Sequence, residues 1–203
     1  MPPRRRPVVP VPFVLRRATA SDTDLLVRHR LAMFASLGGQ PKRGLARHGP
    51  RYAAWLVPQL AKGELIAWVA EGSDGRALGS GAVWFQPAQP RPGFDDLRVP
   101  YILSIYTEPS ARGHGVATAI VRKAIGLAKR LGYARVTLHA SPMGRGVYER
   151  LGFGPTSEMR YWIDPVLRAR YARRAAREAA ERADSRGTTR TVRTARRSAR
   201  ARR

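Results

Sequence analysis

Residues Arg112-Gly113-His114-Gly115-Val116-Ala117 have the types and spacing to hold an anion. They follow an apolar run, Tyr101–Tyr106, that reads as a buried strand, and they open a helical pattern ending near Leu131. A strand that breaks into a glycine-bearing turn and restarts as a helix leaves backbone N–H groups without acceptors at the positive end of the helix dipole. Such donors suit a phosphate or pyrophosphate. Gly113 and Gly115 let the backbone come close with no Cβ in the way. The turn lacks the Gly-Lys-Ser/Thr ending of a P-loop and the third glycine of the dinucleotide fingerprint. The plain alternative is a purely structural turn.

A second segment lies downstream: Ser141-Pro-Met-Gly144-Arg-Gly-Val147-Tyr148-Glu-Arg-Leu-Gly152-Phe153. With one strand between them, the two segments resemble the GCN5-related N-acetyltransferases. The first matches Arg-x-x-Gly-x-Ala, the coenzyme A loop of that family. The second is similar to the family's Asn-x-x-Ala-x-x-Leu-Tyr-x-x-x-Gly-Phe segment between the fifth strand and the fourth helix. The resemblance covers residues 13–164.

The resemblance implies direct transfer of an acetyl group from acetyl-CoA, as cosubstrate, to a primary amine on a small molecule or a protein. Backbone amides of Gly113, His114, Gly115, Val116, Ala117 and Thr118 would face the pyrophosphate. Arg112 stands at the family's Gln/Arg position. Ile105-Tyr106-Thr107, at the end of the fourth strand, would pair with the pantetheine arm and orient the thioester, where a backbone donor stabilises the oxyanion. Pro109 lacks an N–H and keeps Glu108 extended, which ends strand pairing there. Tyr148 is similar to the proton donor for the departing thiolate, a transfer that a phenol near pKa 10 and a thiol near 8.5 allow. Ser141 replaces the usual Asn, and its hydroxyl can still bond the arm. Glu108 and His139 are the candidate bases, acting directly or through water. The acceptor pocket would come from the first two helices and the loops 40–49 and 86–100, including His29, Arg30, Tyr52, Trp55 and Trp84.

Composition narrows the alternatives. The chain of 203 residues has a net charge of +24 and no cysteine. Disulfides, a thiol nucleophile, an acyl-cysteine route and thiolate metal sites are therefore excluded. The four histidines lack metal-ligand spacing, so no metal is expected. No stretch reaches the apolar length of a membrane helix. Pro10 and Pro12 interrupt the apolar run after Arg4-Arg5-Arg6, so it is not read as a signal peptide, and a cytoplasmic location is expected. Residues 165–203 carry 14 arginines against three acids, a surplus of 11. Residues 1–17 add five arginines and no acid, and residues 18–164 carry 19 basic against 11 acidic residues. Charge at the ends suits non-specific contact with a polyanion. Two rival readings follow: a non-catalytic acyl-CoA-binding module on the same fold, or a nucleic-acid- or ribosome-associated protein working through its Arg-rich tail. A homodimer is kept as an open arrangement.

The elements that must position these residues read as follows. Val11–Arg17 is a short strand, and a helix runs from Asp22 to Leu37 with Gly38-Gly39 as its stop. Residues 40–49 are expected as a loop, and Pro50 as the first turn of a second helix ending at Gly63. Strands 64–70 and 77–85 flank an Asp74-Gly75 turn. Pro87, Pro90, Pro92 and Pro100 mark an irregular loop before a strand at 99–107. A helix at 115–131, a strand at 135–140, a helix at 145–151 and a strand pair over 153–156 and 158–163 complete the order. The order implies an α/β fold resembling the family's: a mixed, mostly antiparallel sheet, splayed between strands 4 and 5, with helices on both faces. The division expected is a basic Pro-rich arm (1–12), the N-acetyltransferase domain (13–164) and an Ala/Arg-rich tail (165–203), helical first and then disordered.

Overall fold

The computed structural model describes residues 11–37, 42–94, 96–159, 163–173, 175–177 and 180. The elements are β1 (Phe13–Arg17), α1 (Thr23–Ser36), α2 (Lys42–Ala61), β2 (Leu65–Gly72), β3 (Ala77–Pro87), β4 (Arg98–Thr107), α3 (Val116–Arg130), β5 (Thr137–Leu138) and α4 (Pro142–Arg150). Residues 1–10 of the N-terminal arm, the Gly38-Gly39 stop, residues 160–162 and the end of the tail from 181 lie outside the described residues.

The five strands form one sheet in the order β1-β2-β3-β4-β5. The first four are antiparallel and β5 runs parallel to β4. β2 and β3 are apolar almost throughout because the sheet is covered on both faces. Ala67 and Val69 of β2 and Ala82 of β3 pack under Leu26 of α1 and Tyr52 and Leu56 of α2. On the opposite face Trp68, Val83, Phe85 and Ile102 meet Val121 and Ala124 of α3. The period-two alternation of a strand sends neighbouring side chains to opposite cores.

Two turns behave as their residues dictate. Gly75, at φ +76°, closes the β2–β3 hairpin, and the Arg76 N–H donates to Asp74 Oδ1 at 3.1 Å. Gly132, at φ +82°, ends α3 with Tyr133 N–H donating to Ala128 O at 3.0 Å.

Three expectations need correction. Residues 42–49 are helical rather than looped, and Pro50 and Pro58 lie inside α2. Pro50 forfeits one helical hydrogen bond. The face carrying Gly49, Tyr52 and Leu56 overrides that loss, because all three are buried. Gly49 sits where an added Cβ would lie 3.5 Å from Leu31 Cδ1, so α1 and α2 pack closely there. Second, β5 is only two residues long and α4 begins at Pro142. Third, residues 153–159 form no strand. Pro155 lacks a ladder donor, and residues 154–159 are all exposed, so no apolar face drives pairing.

The chain divides after Phe153 into two compact units. In the second, residues 165–173 are helical, and the Asp164 carboxylate accepts from the N–H groups of Val166 (2.8 Å) and Leu167 (3.1 Å). No helix among the described residues is long and apolar enough to cross a membrane.

Candidate functional site

The site begins where β4 parts from β5 while it stays paired with β3. β4 and β5 share only two register pairs, Tyr101 with Thr137 and Ile102 with Leu138. Towards its C-terminus β4 also bulges: Ser80 of β3 faces Tyr106, whereas Ala82 faces Leu103. The extra residue is absorbed at Ser104, which adopts φ +55°. Gly79 and Gly81 of β3 make room for this bulge. A Cβ on Gly79 would sit 2.5 Å from Tyr106 O, and one on Gly81 would strike the Ile105 side chain and lie 2.8 Å from Ile120 Cγ2.

After β4 the chain makes a 3-10 turn at Pro109–Ala111 and enters α3 through Gly113 and Gly115, both at φ +85°. The first helical bond of α3 runs from Ala119 N–H to Gly115 O at 2.9 Å. The N–H groups of Val116, Ala117 and Thr118 precede it and have no intrahelical acceptor, and no side chain caps Gly115. Opposite, Ser141 caps the start of α4, its Oγ accepting from Gly144 N–H at 3.1 Å. Gly144 leaves space for the Tyr148 ring to fold back over this first turn, since an added Cβ would lie 3.1 Å from Tyr148 Cε2.

These elements enclose a cavity of about 340 Å³. Its walls include Ile105, Tyr106 and Thr107 from β4 and Arg112, Gly113, Gly115, Val116, Ala117 and Thr118 from the turn and α3. Tyr148 of α4 and Ser141 at its cap close it, and Met33 and Leu37, with Ser36 between them, line its edge from the end of α1. Thus every residue expected at a cofactor site lines one cavity except His114, whose Nδ1 instead accepts the Val11 N–H at 3.2 Å. Arg112 donates through Nε to Thr107 O at 3.3 Å, tying the turn to the strand exit.

The titratable groups around this cavity fall into three sets. Burial pushes the Tyr148 phenol above its usual range, with the neighbouring Tyr101 adding to the effect, so its proton is retained at neutral pH. Glu108 lies just past β4: Oε2 accepts from Tyr106 OH at 3.2 Å, and Oε1 is 3.3 Å from His29 Nε2. His29 is fully buried behind it, and its Nδ1 is 2.9 Å from Ser80 Oγ. Burial lowers the His29 pKa, against the pull of Glu108. The Nε2–Glu108 approach is within ion-pair range but out of line for a hydrogen bond. His139 lies apart at the exposed end of β5, where Nδ1 hydrogen-bonds Tyr101 OH.

The third set surrounds Arg30, which shares the inward stripe of α1 with Leu26, His29 and Met33. Its Nη1 donates to Ser104 Oγ at 2.6 Å and its Nε to His48 Nε2 at 3.2 Å. The guanidinium lies 4.4 Å from the Tyr52 ring centre and 4.9 Å from that of Phe34. Ser80, Tyr101 and Ser104 complete the His29, His139 and Arg30 groupings and were not singled out from the sequence. A serine in left-handed geometry inside an apolar strand carries no periodic signal. The polar residues at 29 and 30 on the apolar stripe of α1 were the available clue. Among the described residues no group of three or more His, Cys, Asp or Glu side chains could hold a metal.

Comparison with known proteins agrees with this geometry. Residues 34–153 match the model of the acetyltransferase (GNAT) family. An uncharacterized N-acetyltransferase of Methanocaldococcus jannaschii is 28% identical over 165 residues, covering 77% of this chain and 67% of its own length. The crystal structure of a GCN5-related N-acetyltransferase from Ralstonia eutropha superposes with a TM-score of 0.70 at 33% identity, covering 75% of this chain and 99% of that one. A predicted acetyltransferase from Clostridium acetobutylicum, solved with acetyl-CoA, gives a TM-score of 0.68 at 29% identity, over 74% and 95% of the two chains.

Proposed function

The chain belongs to the acetyltransferase (GNAT) family, and on that premise we propose that it is an N-acetyltransferase moving the acetyl group of acetyl-CoA directly onto a primary amine. One observation carries the reading. The splayed end of β4, the open N-terminus of α3 and Tyr148 of α4 line a single cavity, with anion donors on one wall and a protonated phenol on another.

Acetyl-CoA supplies the acetyl group as a thioester and leaves a thiolate to be stabilised. The N–H groups of Val116, Ala117 and Thr118 receive its pyrophosphate, aided by the α3 dipole. β4 beyond Ile102 offers backbone groups to the pantetheine arm, because β5 no longer pairs with it. Tyr148 donates its O–H towards the thiolate. Glu108 takes the proton from the incoming ammonium, directly or through water, with its carboxylate fixed by Tyr106 and backed by His29. His139 is the second candidate for this step; its tie to Tyr101 places it beside a residue that acts electrostatically on Tyr148.

The test is calorimetric titration of acetyl-CoA into the full chain at low and at moderate salt. One-to-one binding that survives salt supports the reading. Binding that vanishes with salt reflects the chain's arginines attracting the coenzyme's phosphates, and then the cavity is not a cosubstrate site.

A further inference from the structure

Arg30 is a charge that its surroundings do not neutralise. α1 carries it inward, one turn before Met33 at the cavity edge. Every partner it has among the described residues is neutral. Ser104 Oγ accepts from it, and burial holds the neighbouring Tyr52 phenol protonated. His48 accepts through Nε2, and burial together with Arg30 and Arg51 holds that imidazole uncharged. The rings of Phe34 and Tyr52 stack on the guanidinium. No carboxylate among the described residues forms an ion pair with it. Of its five N–H groups, those on Nη1 and Nε each donate one hydrogen bond among the described residues.

A guanidinium taken partly out of water without a counter-ion is costly unless an anion arrives to pair with it. Its planar fork suits an oxyanion bidentately. The setting is built rather than incidental. Ser104, which holds Nη1, is the one described non-glycine residue at positive φ, and such strained backbone persists only where its surroundings impose it. The position is also apt. Tyr101 acts electrostatically on both Arg30 and Tyr148, so the guanidinium and the phenol assigned to the leaving thiolate share a neighbour.

Resting on the N-acetyltransferase reading, we propose that Arg30, with Ser104, Tyr52 and His48, forms an oxyanion receptor in the acceptor site, and that the acceptor is an amine carrying a carboxylate or a phosphate. The receptor holds the anionic end of the acceptor while its amine reaches the thioester.

The experiment uses the full chain and matched amines. L-Lysine with cadaverine, L-tyrosine with tyramine, and L-histidine with histamine differ by one carboxylate. O-Phosphoethanolamine against β-alanine separates phosphate from carboxylate, with propylamine as the neutral reference. The anionic members are expected to be acetylated with kcat/KM about 10- to 100-fold above their neutral partners, the worth of a charge-assisted hydrogen-bond pair. Arg30→Gln should lower kcat/KM for the anionic amines about 10-fold or more beyond any loss on the neutral ones, erasing the advantage, and Arg30→Lys should restore part of it. Equal rates for both members, acetylation of neutral amines alone, or an equal loss on both classes in Arg30→Gln overturns the proposal. A second measurement does not depend on turnover. Saturable quenching of tryptophan fluorescence by β-alanine or O-phosphoethanolamine is expected, because Trp55 stacks on Tyr52 at 5.8 Å. Quenching that persists in a chain that fails to bind acetyl-CoA would retire the acetyltransferase reading and keep the receptor. Absence of quenching in a chain that binds acetyl-CoA would do the reverse.

Discussion

A phenol can steady a departing thiolate only while it still holds its proton, and burial keeps Tyr148 in that state. Tyr148→Phe should therefore lower kcat by about 100-fold and leave acetyl-CoA affinity unchanged, read by steady-state kinetics beside calorimetry. An equal rise in Kd would mean the ring serves the cavity wall and not the leaving group. Glu108→Gln separates the two candidate bases. If Glu108 takes the ammonium proton, kcat falls by about 100-fold or more, whereas His139→Gln changes it little; the opposite pattern transfers the role to His139. Behind Glu108, His29 makes a prediction about stability. Its folded pKa is depressed, so the native chain resists a proton that the unfolded chain accepts near pH 6.5. Stability is then fully present above about pH 6.5 and is lost as pH falls through the folded value, at up to about 1.4 kcal/mol per pH unit for one proton. His48, also depressed, adds to the same slope. Melting curves between pH 7.5 and 5 should show a shallower decline in His29→Gln than in the wild type, and an unchanged slope would show that His29 takes up its proton in the folded state.

At the scale of elements, the bulge in β4 depends on the two missing side chains facing it. Gly81→Ala would push a methyl group into Ile105 and Ile120, at a cost of about 1–3 kcal/mol. Because Ile105 also lines the cavity, KM for acetyl-CoA should rise with the loss of stability. The same exchange in α3 should act oppositely. Gly126 lies mid-helix with only the Arg130 guanidinium, 3.7 Å away, near an added Cβ, so Gly126→Ala should stabilise by about 0.5–1 kcal/mol. Thermal melts of the two variants check both signs. The contrast also shows what the sequence could reveal. Gly113, Gly115 and Gly132 follow a strand or close a helix, and their local pattern was enough to read the turns they make. The order of the elements likewise implied a sheet with helices on both faces. Gly81 in a strand reads as a bend or close approach, though its pattern does not say that Ile105 is what it approaches, and Gly49 matters because of Leu31, which no local pattern carries. Pro50 pointed the wrong way for the same reason: tertiary packing of α2 on α1 outweighed a local helix-start signal. The pairing of His29 with Glu108 and of Arg30 with Ser104 also arises only when α1 lies across the exit of β4.

For the whole chain, the question is where the charge goes. The net charge is +24, yet residues 18–164 carry a surplus of only eight, so most of it lies at the two ends. Three ion pairs absorb some of the rest: Arg16 bridges Asp22 at 2.8 Å and Glu71 at 2.7 Å, and Arg98 meets Glu64 at 3.1 Å at the surface. The 14 arginines of residues 165–203 have only three acids within their own segment. Such a segment releases counter-ions when it meets a polyanion, and each neutralised phosphate steepens the salt dependence by about one unit of log K against log salt. The full chain should bind duplex DNA or RNA with a steep negative salt slope, and a chain ending at residue 164 should lose most of that affinity while keeping its acetyl-CoA titration. Filter binding from about 50 to 200 mM salt reads the slope, a range over which six to ten phosphate contacts change affinity by about 10³- to 10⁵-fold. Loss of both activities on truncation would tie the tail to the catalytic unit. Retention of both would move the polyanion contact to the basic residues of the first 17 positions or of the catalytic unit itself. A tail that binds alone, beside a cavity that binds alone, would make the tail a means of delivering the enzyme to amines held on a polyanionic surface.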